Sequence, residues 1–449
     1  MKLKATFYIA VFSVILLSSQ LNAQEYIDNW PNWRGPNNDG VSLKGTPPTE
    51  WSETKNIKWK TPIPGKGLGT PVIWGDQIFI TTATELDQKA TDEAIKRLKK
   101  THPGFVKFFG MSGTTENFLE FSVFSINRSS GEINWTKVVR EQYPHEGYND
   151  QGSWVSASCV TDGVHMIASF GSYGIYCFDM DGKMLWEKDL GDMQVESAFG
   201  EATSPVLYKD KLIIVWDHEG QSKIHVLNKK TGEEIWQKDR DERTTWATPT
   251  VVELDGMAQI IVPGKNKSMG YDIETGDVIW ELGGLGDGII PCPVFDGERV
   301  YLMTGYGKIK IAQAVNLKGA KGNLENSAAL IWTMENNSSY VPSPLLKDGK
   351  LYYLKGSRAS ISCVEAKTGE IYYEAQRVEG LKGEYASPVW ANGNIYIIDR
   401  QGTCAVIKEG KKFEVIVKNK LDDNFDASPA VVGNELFLRG FKSLYCISE

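Results

Sequence analysis

Short apolar runs, each bounded by turn residues, recur along the chain at a nearly constant spacing. Most units begin with a small residue and a proline, as in Ser204-Pro205-Val206, and continue through a Gly- or Asp-bearing turn into a second apolar run. A third run, a Thr-Gly turn and a segment carrying an aromatic residue follow, as in Thr231 to Trp236. Apolar runs of this length between turn residues predict β-strands joined as hairpins.

Eight such units can be aligned on their first strand, and they lie 41 to 51 residues apart except for one interval of 88 residues. Four short strands in each ~40 to 45 residues are typical of a β-propeller blade. The aligned positions are Pro71, Cys159, Pro205, Pro249, Pro293, Pro344, Pro388 and Pro429. We expect the tryptophans of the fourth strands to pack between blades as structural core, namely Trp59, Trp135, Trp186, Trp236, Trp280 and Trp332.

The eighth unit stops before its fourth strand, whereas the segment around Trp59 has the character of a fourth strand with no blade in front of it. The N-terminal strand should therefore complete the last blade, which also removes the open edges of an incomplete ring. The sequence predicts an all-β fold: an eight-bladed propeller of four-stranded antiparallel blades, closed by an N-terminal strand.

Residues 1–23 differ in character from the rest of the chain. Lys2 and Lys4 precede an apolar run from Phe7 to Leu17, and a polar stretch ends at Ala23. This order is typical of a secretory signal peptide. We therefore expect an exported protein, periplasmic or extracellular, with no transmembrane or lipid anchor in the mature chain.

The remaining chain divides into a leader and a ring. Residues 24–55, which include three tryptophans, should pack on the ring as an N-terminal leader, and residues 56–449 should form the propeller. A helical insertion at about 84–117 accounts for the long interval, with the helix itself expected over Leu86 to Lys100. A Gly- and Asn-bearing loop, Asn316 to Ser327, interrupts blade five.

Composition narrows the partners and the chemistry. The formal net charge of −8 argues against a nucleic-acid partner, because phosphate binding needs a basic face. Most of the six cysteines fall at repeat positions, so we expect buried free thiols, with one or two disulfides as the alternative in an exported chain. The five histidines have no metal-ligand spacing. We expect a monomer.

The residues just before each first strand should converge at one end of the channel, because the first strands line it. Acids beside flat rings are typical of a site for a polar ligand, a cation or a sugar. The alternative is a plugged channel whose acids are solvated or paired with Arg243 and Lys382. The candidate ligand-binding residues at this mouth are Trp154, Glu201, Arg243, Trp246, Tyr340, Glu384, Tyr385 and Asp426.

The connection between blades one and two, Glu141 to Gly152, combines acids, His145, two tyrosines and an asparagine. Its oxygens could hold calcium, but the twelve-residue spacing of a calcium loop is absent, so a surface contact is the first interpretation. The sequence predicts no catalytic residue and no metal ligand.

Together, the Thr-Gly-x-x-x-Trp blade ends, the Ser-Pro-Val strand starts and the Trp-Pro-x-Trp-Arg-Gly leader resemble the pyrroloquinoline-quinone (PQQ)-like β-propeller repeat proteins. The resemblance covers about Trp30 to Glu449 and is strongest to the secreted bacterial PQQ-binding-like branch, with a distant similarity to the BamB propeller. This superfamily holds both quinone dehydrogenases and non-enzymatic propellers, so membership does not decide the activity.

The resemblance implies PQQ and calcium as candidate cofactors. The family's dehydrogenases hold the quinone under a disulfide between adjacent cysteines, and this chain has neither adjacent cysteines nor a CxxCH haem motif. We therefore expect an exported non-catalytic module that binds a protein, a glycan or a small polar ligand. The alternatives are a PQQ-dependent oxidoreductase and a carbohydrate-active or carbohydrate-binding propeller.

Overall fold

A computed structural model describes residues 26–355 and 359–449, and the predicted signal peptide lies outside these residues. Eight sheets follow one another along the described chain, and each contains four antiparallel blade strands. The strand Ile57–Pro62 pairs with Ser443–Ile447 and so supplies the fourth strand of the last blade. The predicted eight-bladed propeller with N-terminal closure is confirmed.

The strands of the first four blades are given in chain order. Blade 1 comprises Val72–Trp74, Gln77–Lys89, Asn117–Asn127 and Ile133–Gln142. Blade 2 comprises Val160–Thr161, Met166–Ser169, Ile175–Phe178 and Met184–Lys188. Blade 3 comprises Val206–Tyr208, Lys211–Trp216, Lys223–Asn228 and Glu234–Asp239. Blade 4 comprises Thr250–Leu254, Met257–Val262, Lys267–Asp272 and Val278–Gly283.

The other four blades follow the same order, except that the strand completing blade 8 comes from the N-terminal side. Blade 5 comprises Val294–Phe295, Arg299–Thr304, Ile311–Asn316 and Leu330–Glu335. Blade 6 comprises Leu345–Lys347, Lys350–Leu354, Ser360–Glu365 and Ile371–Arg377. Blade 7 comprises Val389–Ala391, Asn394–Ile398, Thr403–Lys408 and Val415–Lys420. Blade 8 comprises Ala430–Val432, Glu435–Arg439, Ser443–Ile447 and Ile57–Pro62.

The tryptophan of a fourth strand packs on the Thr-Gly turn of the next blade. Trp236 donates its indole N–H to the carbonyl of Ile273 at 3.0 Å. Gly276 has a φ of +71°, and a Cβ there would lie 2.7 Å from the Trp236 ring, so this turn accepts only glycine without strain. The arrangement recurs at four junctions, where the residue before the glycine is Ser130, Asp181, Thr231 or Thr368. The pairs are Trp59 with Gly131, Trp135 with Gly182, Trp186 with Gly232 and Trp332 with Gly369.

Trp280 of blade 4 is held differently. It is fully buried and donates to the side chain of Gln259 in its own blade at 3.0 Å. Blade 5 carries the predicted insertion where its neighbours have the Thr-Gly turn, and Gly322–Asn323 of that insertion pairs in parallel with Trp280 and Glu281. The insertion therefore covers the edge of blade 4 with a short strand.

A chain of hydrogen bonds explains the small polar residue before each register proline. The hydroxyl or thiol of that residue accepts a hydrogen bond from the backbone N–H of the equivalent residue in the preceding blade, with 2.9 to 3.1 Å between the nitrogen and the oxygen or sulfur. The linked residues, in order, are Thr70, Ser158, Ser204, Thr248, Cys292, Ser343, Ser387 and Ser428. Within the described residues the Thr70 hydroxyl is buried without a partner, so the series of hydrogen bonds is interrupted between blades 8 and 1.

The leader lies across the end of the ring where the first two strands of each blade turn. Trp30 forms a β-bridge with Ile73 of blade 1, and Val41–Ser42 pairs in parallel with the first strand of blade 7. Arg34 is 2% exposed and donates to the carbonyls of Pro388 and Pro344 at 2.9 and 2.8 Å. Burial lowers the pKa of Arg34 to about 10. The leader therefore ties blades together from this side.

The predicted helix in the blade 1 insertion begins later than expected. Leu86 to Lys89 extend the strand Gln77–Lys89, which pairs with Asn117–Asn127, so the expected start at Leu86 is wrong. Helix α1 spans Asp92–Thr101 behind an N-cap at Thr91, whose hydroxyl accepts from Ala94 N. A second helix, α2, spans Gly104–Phe108.

All six cysteines are buried free thiols, as the repeat positions predicted. Burial raises the pKa of Cys159 to about 12, so this thiol stays protonated at neutral pH. Within the described parts of the chain, no helix is both long enough and apolar enough to span a bilayer.

Candidate functional site

We call the end of the ring at which the first strands begin the mouth face. Because the second strand of each blade runs antiparallel to the first, it ends at this face, and the turn into the third strand lies there too. The mouth face therefore combines two sets of residues from every blade, those before the first strand and those after the second.

Three of the predicted residues, Trp154, Glu201 and Trp246, line one cleft between blades 2, 3 and 4. The Trp154 indole donates to Glu146 O at 3.0 Å, and the Trp246 indole donates to Gly200 O at 2.8 Å. Both rings are thereby fixed to the backbone of the inter-blade connections. The cavity has a volume of about 20 Å³, which is room for a water molecule.

Glu201 is one of two acids that line this cleft; the other, Asp217, pairs with Arg240 at 2.8 Å. The two carboxylate oxygens of Glu201 accept from the hydroxyl and the backbone N–H of Ser172, at 2.5 and 2.7 Å. Burial raises the pKa of Glu201 to about 7, although the bonds from Ser172 act in the opposite direction. The cleft therefore offers a carboxyl group that gains or loses its proton near neutral pH.

The backbone beside Glu201 is strained. Ser197 and Ala198 have φ values of 56° and 52°, in the left-handed region that non-glycine residues rarely adopt. Two side chains hold this turn: Glu196 N donates to the Thr244 hydroxyl at 2.8 Å, and Val195 N donates to the Glu146 carboxylate at 2.9 Å. Such strain persists only where the surroundings impose it. Val195 and Gly200, on either side of the turn, line the cleft.

Tyr385 and Asp426 meet on the other side of the mouth face through an arginine. Arg400 binds the Asp426 carboxylate with two bonds, at 2.7 and 2.9 Å, and lies 4.3 Å from the Tyr385 ring centroid. Burial raises the pKa of Asp426, even though Arg400 favours its charged form. The Gln151 amide oxygen accepts from both Tyr385 and Arg400 at 2.7 Å. The connection between blades 1 and 2 thus reaches over to blade 7.

The structure does not bring the other candidates into the cleft. The Tyr340 ring stacks on Tyr306, with centroids 5.5 Å apart and planes 15° apart. The Arg243 side chain is 70% exposed and pairs with Glu219 at 3.1 Å. The predicted alternative, in which the mouth acids pair with Arg243 and Lys382, is therefore not the arrangement found for Asp426, which pairs with Arg400.

Glu384 lies beneath the surface of the mouth face. It is 1% exposed, and one carboxylate oxygen accepts from Ala359 N at 2.6 Å while the other has no partner among the described residues. Burial raises the pKa of Glu384 to about 8, and the nearby Asp399 carboxylate adds to the shift. Glu384 thus binds the backbone of Ala359, next to the third strand of blade 6, and its side chain is buried away from the surface of the mouth face.

Counting back from the first strands missed Ser172, Gln151, Tyr306 and Arg400. Ser172, Tyr306 and Arg400 follow second strands, and Gln151 belongs to the connection with which Arg400 and Tyr385 interact. The signal was available, because antiparallel pairing returns the end of every second strand to the same face. Counting forward from each second strand would have found these three residues.

The comparisons with known proteins agree on the fold. The family model described as outer membrane protein assembly factor BamB matches residues 120–375, more than half of the chain. The crystal structure of BamB from Moraxella catarrhalis is 14% identical with a TM-score of 0.53, over 82% of this chain and 98% of that one. No protein among the curated sequences compared with this chain matches it.

Two solved dehydrogenases share the architecture. A europium-containing methanol dehydrogenase is 10% identical with a TM-score of 0.61, over 95% of this chain and 92% of its own. A quinohemoprotein alcohol dehydrogenase from Comamonas testosteroni is 9% identical with a TM-score of 0.57, over 93% of this chain and 80% of its own. At these identities the likeness concerns the fold alone. The expected resemblance to PQQ-like propellers is confirmed.

The residues at the mouth do not fit PQQ, the quinone that the sequence resemblance implies as a candidate cofactor. Pockets for ligands of that size have volumes of about 300 to 1,000 Å³, whereas the cleft of Trp154, Glu201 and Trp246 offers about 20 Å³. The Glu201 carboxylate already accepts two bonds from Ser172. Within residues 26–355 and 359–449 no group of three or more His, Cys, Asp or Glu side chains is arranged to hold a metal ion.

Proposed function

The chain belongs to the β-propeller family described as outer membrane protein assembly factor BamB, and from that premise we propose that it is a non-catalytic scaffold that binds a protein on its mouth face. The observation that carries this proposal is the difference between the acidic side chains at the mouth and the aromatic and arginine side chains there. The carboxylates of Glu201, Glu384 and Asp426 are engaged within the chain, while aromatic and arginine side chains face outward.

The outward-facing side chains have the composition of a protein interface. Tyr306 is 45% exposed, its partner Tyr340 and the Tyr385–Arg400 pair are half-buried, and the Arg243 side chain is 70% exposed. Tyrosine, tryptophan and arginine are the residue types that most often carry binding energy at such interfaces. A rigid ring that fixes them in advance lowers the entropy lost on binding.

A photocrosslinking comparison tests the location of the partner. We would place a photoreactive residue at Arg243 on the mouth face and, as a matched control, at Val164, which is 62% exposed in the first turn of blade 2 at the other end. The proposal predicts a discrete protein adduct from position 243 and none from position 164. Equal adducts from both positions, or none from position 243, would contradict it.

The proposal includes export and a monomeric state. The signal-peptide character of residues 1–23 and the family membership support a periplasmic or extracellular location, with residues 24–55 as leader and 56–449 as propeller. Comparing the N-terminus of the protein recovered from the periplasm with that of the full chain tests cleavage before Gln24.

A glycan or another small polar ligand is a second candidate, favoured by the cleft itself. Trp154, Trp246 and Glu201 line the same cleft, and rings together with an acid are suited to stacking and hydrogen bonding with a sugar. This candidate requires the cleft to widen on binding. Retention on a glycan column that is lost in Trp246→Ala and kept in Arg243→Ala would support it, whereas equal retention of both variants would remove the cleft from consideration.

A further inference from the structure

The insertion of blade 1 ends in an exposed apolar tip. Phe105 and Phe108 of α2 and the following Phe109 are 53%, 84% and 69% exposed. The rings of Phe108 and Phe109 meet edge to face, with centroids 5.2 Å apart, and neither is covered by the ring of blades. A contiguous group of exposed aromatic side chains marks a contact surface. We call residues 104–109 the Phe tip.

The Phe tip is held in place from below. Val106, between the exposed phenylalanines, is fully buried, and its carbonyl accepts from Met111 N at 2.9 Å. The His102 ring lies 3.0 Å from Tyr148 O, and Ser112–Gly113 pairs with Tyr148–Asn149. The fold therefore presents these three rings on an anchored support.

The surroundings of the tip are basic in a protein that is acidic overall. Asp92 and Glu93 lie in the first turn of α1, at the end away from the tip, and residues 94–111 after them contain five cations and no acid. The formal net charge of the whole chain is −8. All five are exposed, and among the described residues Lys99 pairs with Glu116 at 2.9 Å. The five are Lys96, Arg97, Lys99, Lys100 and Lys107.

We propose that the Phe tip inserts into the interfacial layer of an anionic lipid bilayer, with the cations of α1 and Lys107 against the lipid headgroups. Phenylalanine rings favour the boundary between headgroups and acyl chains, and nearby lysines and arginines are attracted to anionic lipid. An apolar groove on a protein would account for the rings alone, whereas an anionic bilayer also accounts for the cluster of positive charge. The contact would be peripheral and reversible.

Vesicle co-sedimentation tests this inference. Anionic vesicles of phosphatidylcholine with roughly 30% phosphatidylglycerol are compared with vesicles of pure phosphatidylcholine. The full chain is used, with the same N-terminus in every variant. The variants are F105S/F108S/F109S, which removes the rings, and K96Q/R97Q/K100Q/K107Q, which removes charge. The matched control is I133S/V138S/V278S, which removes three apolar side chains exposed on outer strands.

The proposal predicts binding to the anionic vesicles that falls at least about tenfold in the ring variant, falls by a similar factor in the charge variant, and is unchanged in the control. Raising the salt concentration to 1 M should weaken the binding of the wild-type protein to anionic vesicles, because the Debye length then shrinks to about 3 Å. Equal binding of the wild type and the ring variant to anionic vesicles would overturn the proposal. Wild-type protein that binds no vesicle but binds another protein through the Phe tip would overturn it as well. Thermal unfolding of each variant checks that it is folded.

Discussion

At the scale of single residues, the repeated motif is explained by one contact between blades. The glycine of each Thr-Gly turn has no side chain because the tryptophan of the preceding blade occupies that space, as Trp236 does beside Gly276. The motif therefore records a packing requirement between blades, and the same requirement accounts for most of the tryptophans in the ring.

Substituting Gly276 tests this contact. We expect Gly276→Ala to lower the free energy of unfolding by about 2–4 kcal/mol, through a positive φ and a collision with the Trp236 ring. Gly256→Ala is the matched control, because Gly256 also has a positive φ but has open space around its Cβ position. The control should cost about 1–2 kcal/mol, from backbone strain alone. Urea unfolding that shows equal losses would contradict the contact.

Glu384 gives the stability of the fold a pH dependence. Its pKa is about 8 in the folded chain against an ordinary value of 4.5. Between these two pH values the Glu384 carboxyl therefore keeps its proton in the folded state and has lost it in the unfolded state. The free energy of unfolding should therefore decrease as pH rises from about 5 to about 8.

Glu384→Gln removes the ionisation and should stabilise the chain by about 1–3 kcal/mol at pH 8.5 relative to wild type, with little difference at pH 5. The exposed Glu379→Gln is the control and should change neither value. Urea unfolding at both pH values measures the effect. A wild-type stability that does not fall between pH 5 and 8.5 would show that Glu384 is not held in its neutral form.

At the scale of elements, hydroxyl groups and the Cys292 thiol link the first strands of neighbouring blades, and Arg34 of the leader ties blades 6 and 7 together. One link is absent, at Thr70, whose hydroxyl is buried without a partner among the described residues. The same substitution at a hydroxyl that accepts a hydrogen bond and at one that does not therefore isolates the contribution of one such bond to the free energy of unfolding.

Thr248→Val should lower the free energy of unfolding by about 1–2 kcal/mol, because the buried N–H of Ser204 then loses its acceptor. Thr70→Val replaces a hydroxyl that accepts nothing and should be neutral or slightly stabilising. Chemical denaturation of the two variants provides the comparison. Similar losses at both positions would mean that the links do not contribute as described.

The sequence predicted the elements well where the period holds and less well outside it. The first-strand register and the closing strand around Trp59 could be predicted because each is a local pattern repeated eight times. The start of α1 could not, because Leu86 to Lys89 have helix-forming residues yet extend the strand Gln77–Lys89, in which Lys89 pairs with Asn117. Arg400 could have been found by counting forward from its second strand, but its bonds to Asp426 and Gln151 could not be predicted, because these residues are distant in the chain.

At the scale of the whole molecule, both ends of the ring are occupied by the chain itself. The leader crosses one end, and the connection carrying Gln151 reaches over the other to Tyr385 and Arg400. Two solved dehydrogenases share the fold, whereas polar side chains at the mouth of this chain bind one another, as Ser172 binds Glu201 and Arg400 binds Asp426. The fold is shared, and the site must be judged from its own residues.

The central claim, a binding scaffold without quinone chemistry, is tested most directly by equilibrium dialysis of the purified protein against PQQ with calcium, followed by a dye-reduction assay with alcohols. A cleft of about 20 Å³ predicts no stoichiometric retention of PQQ and no alcohol-dependent reduction. Retention of one PQQ per chain together with alcohol-dependent turnover would contradict the account.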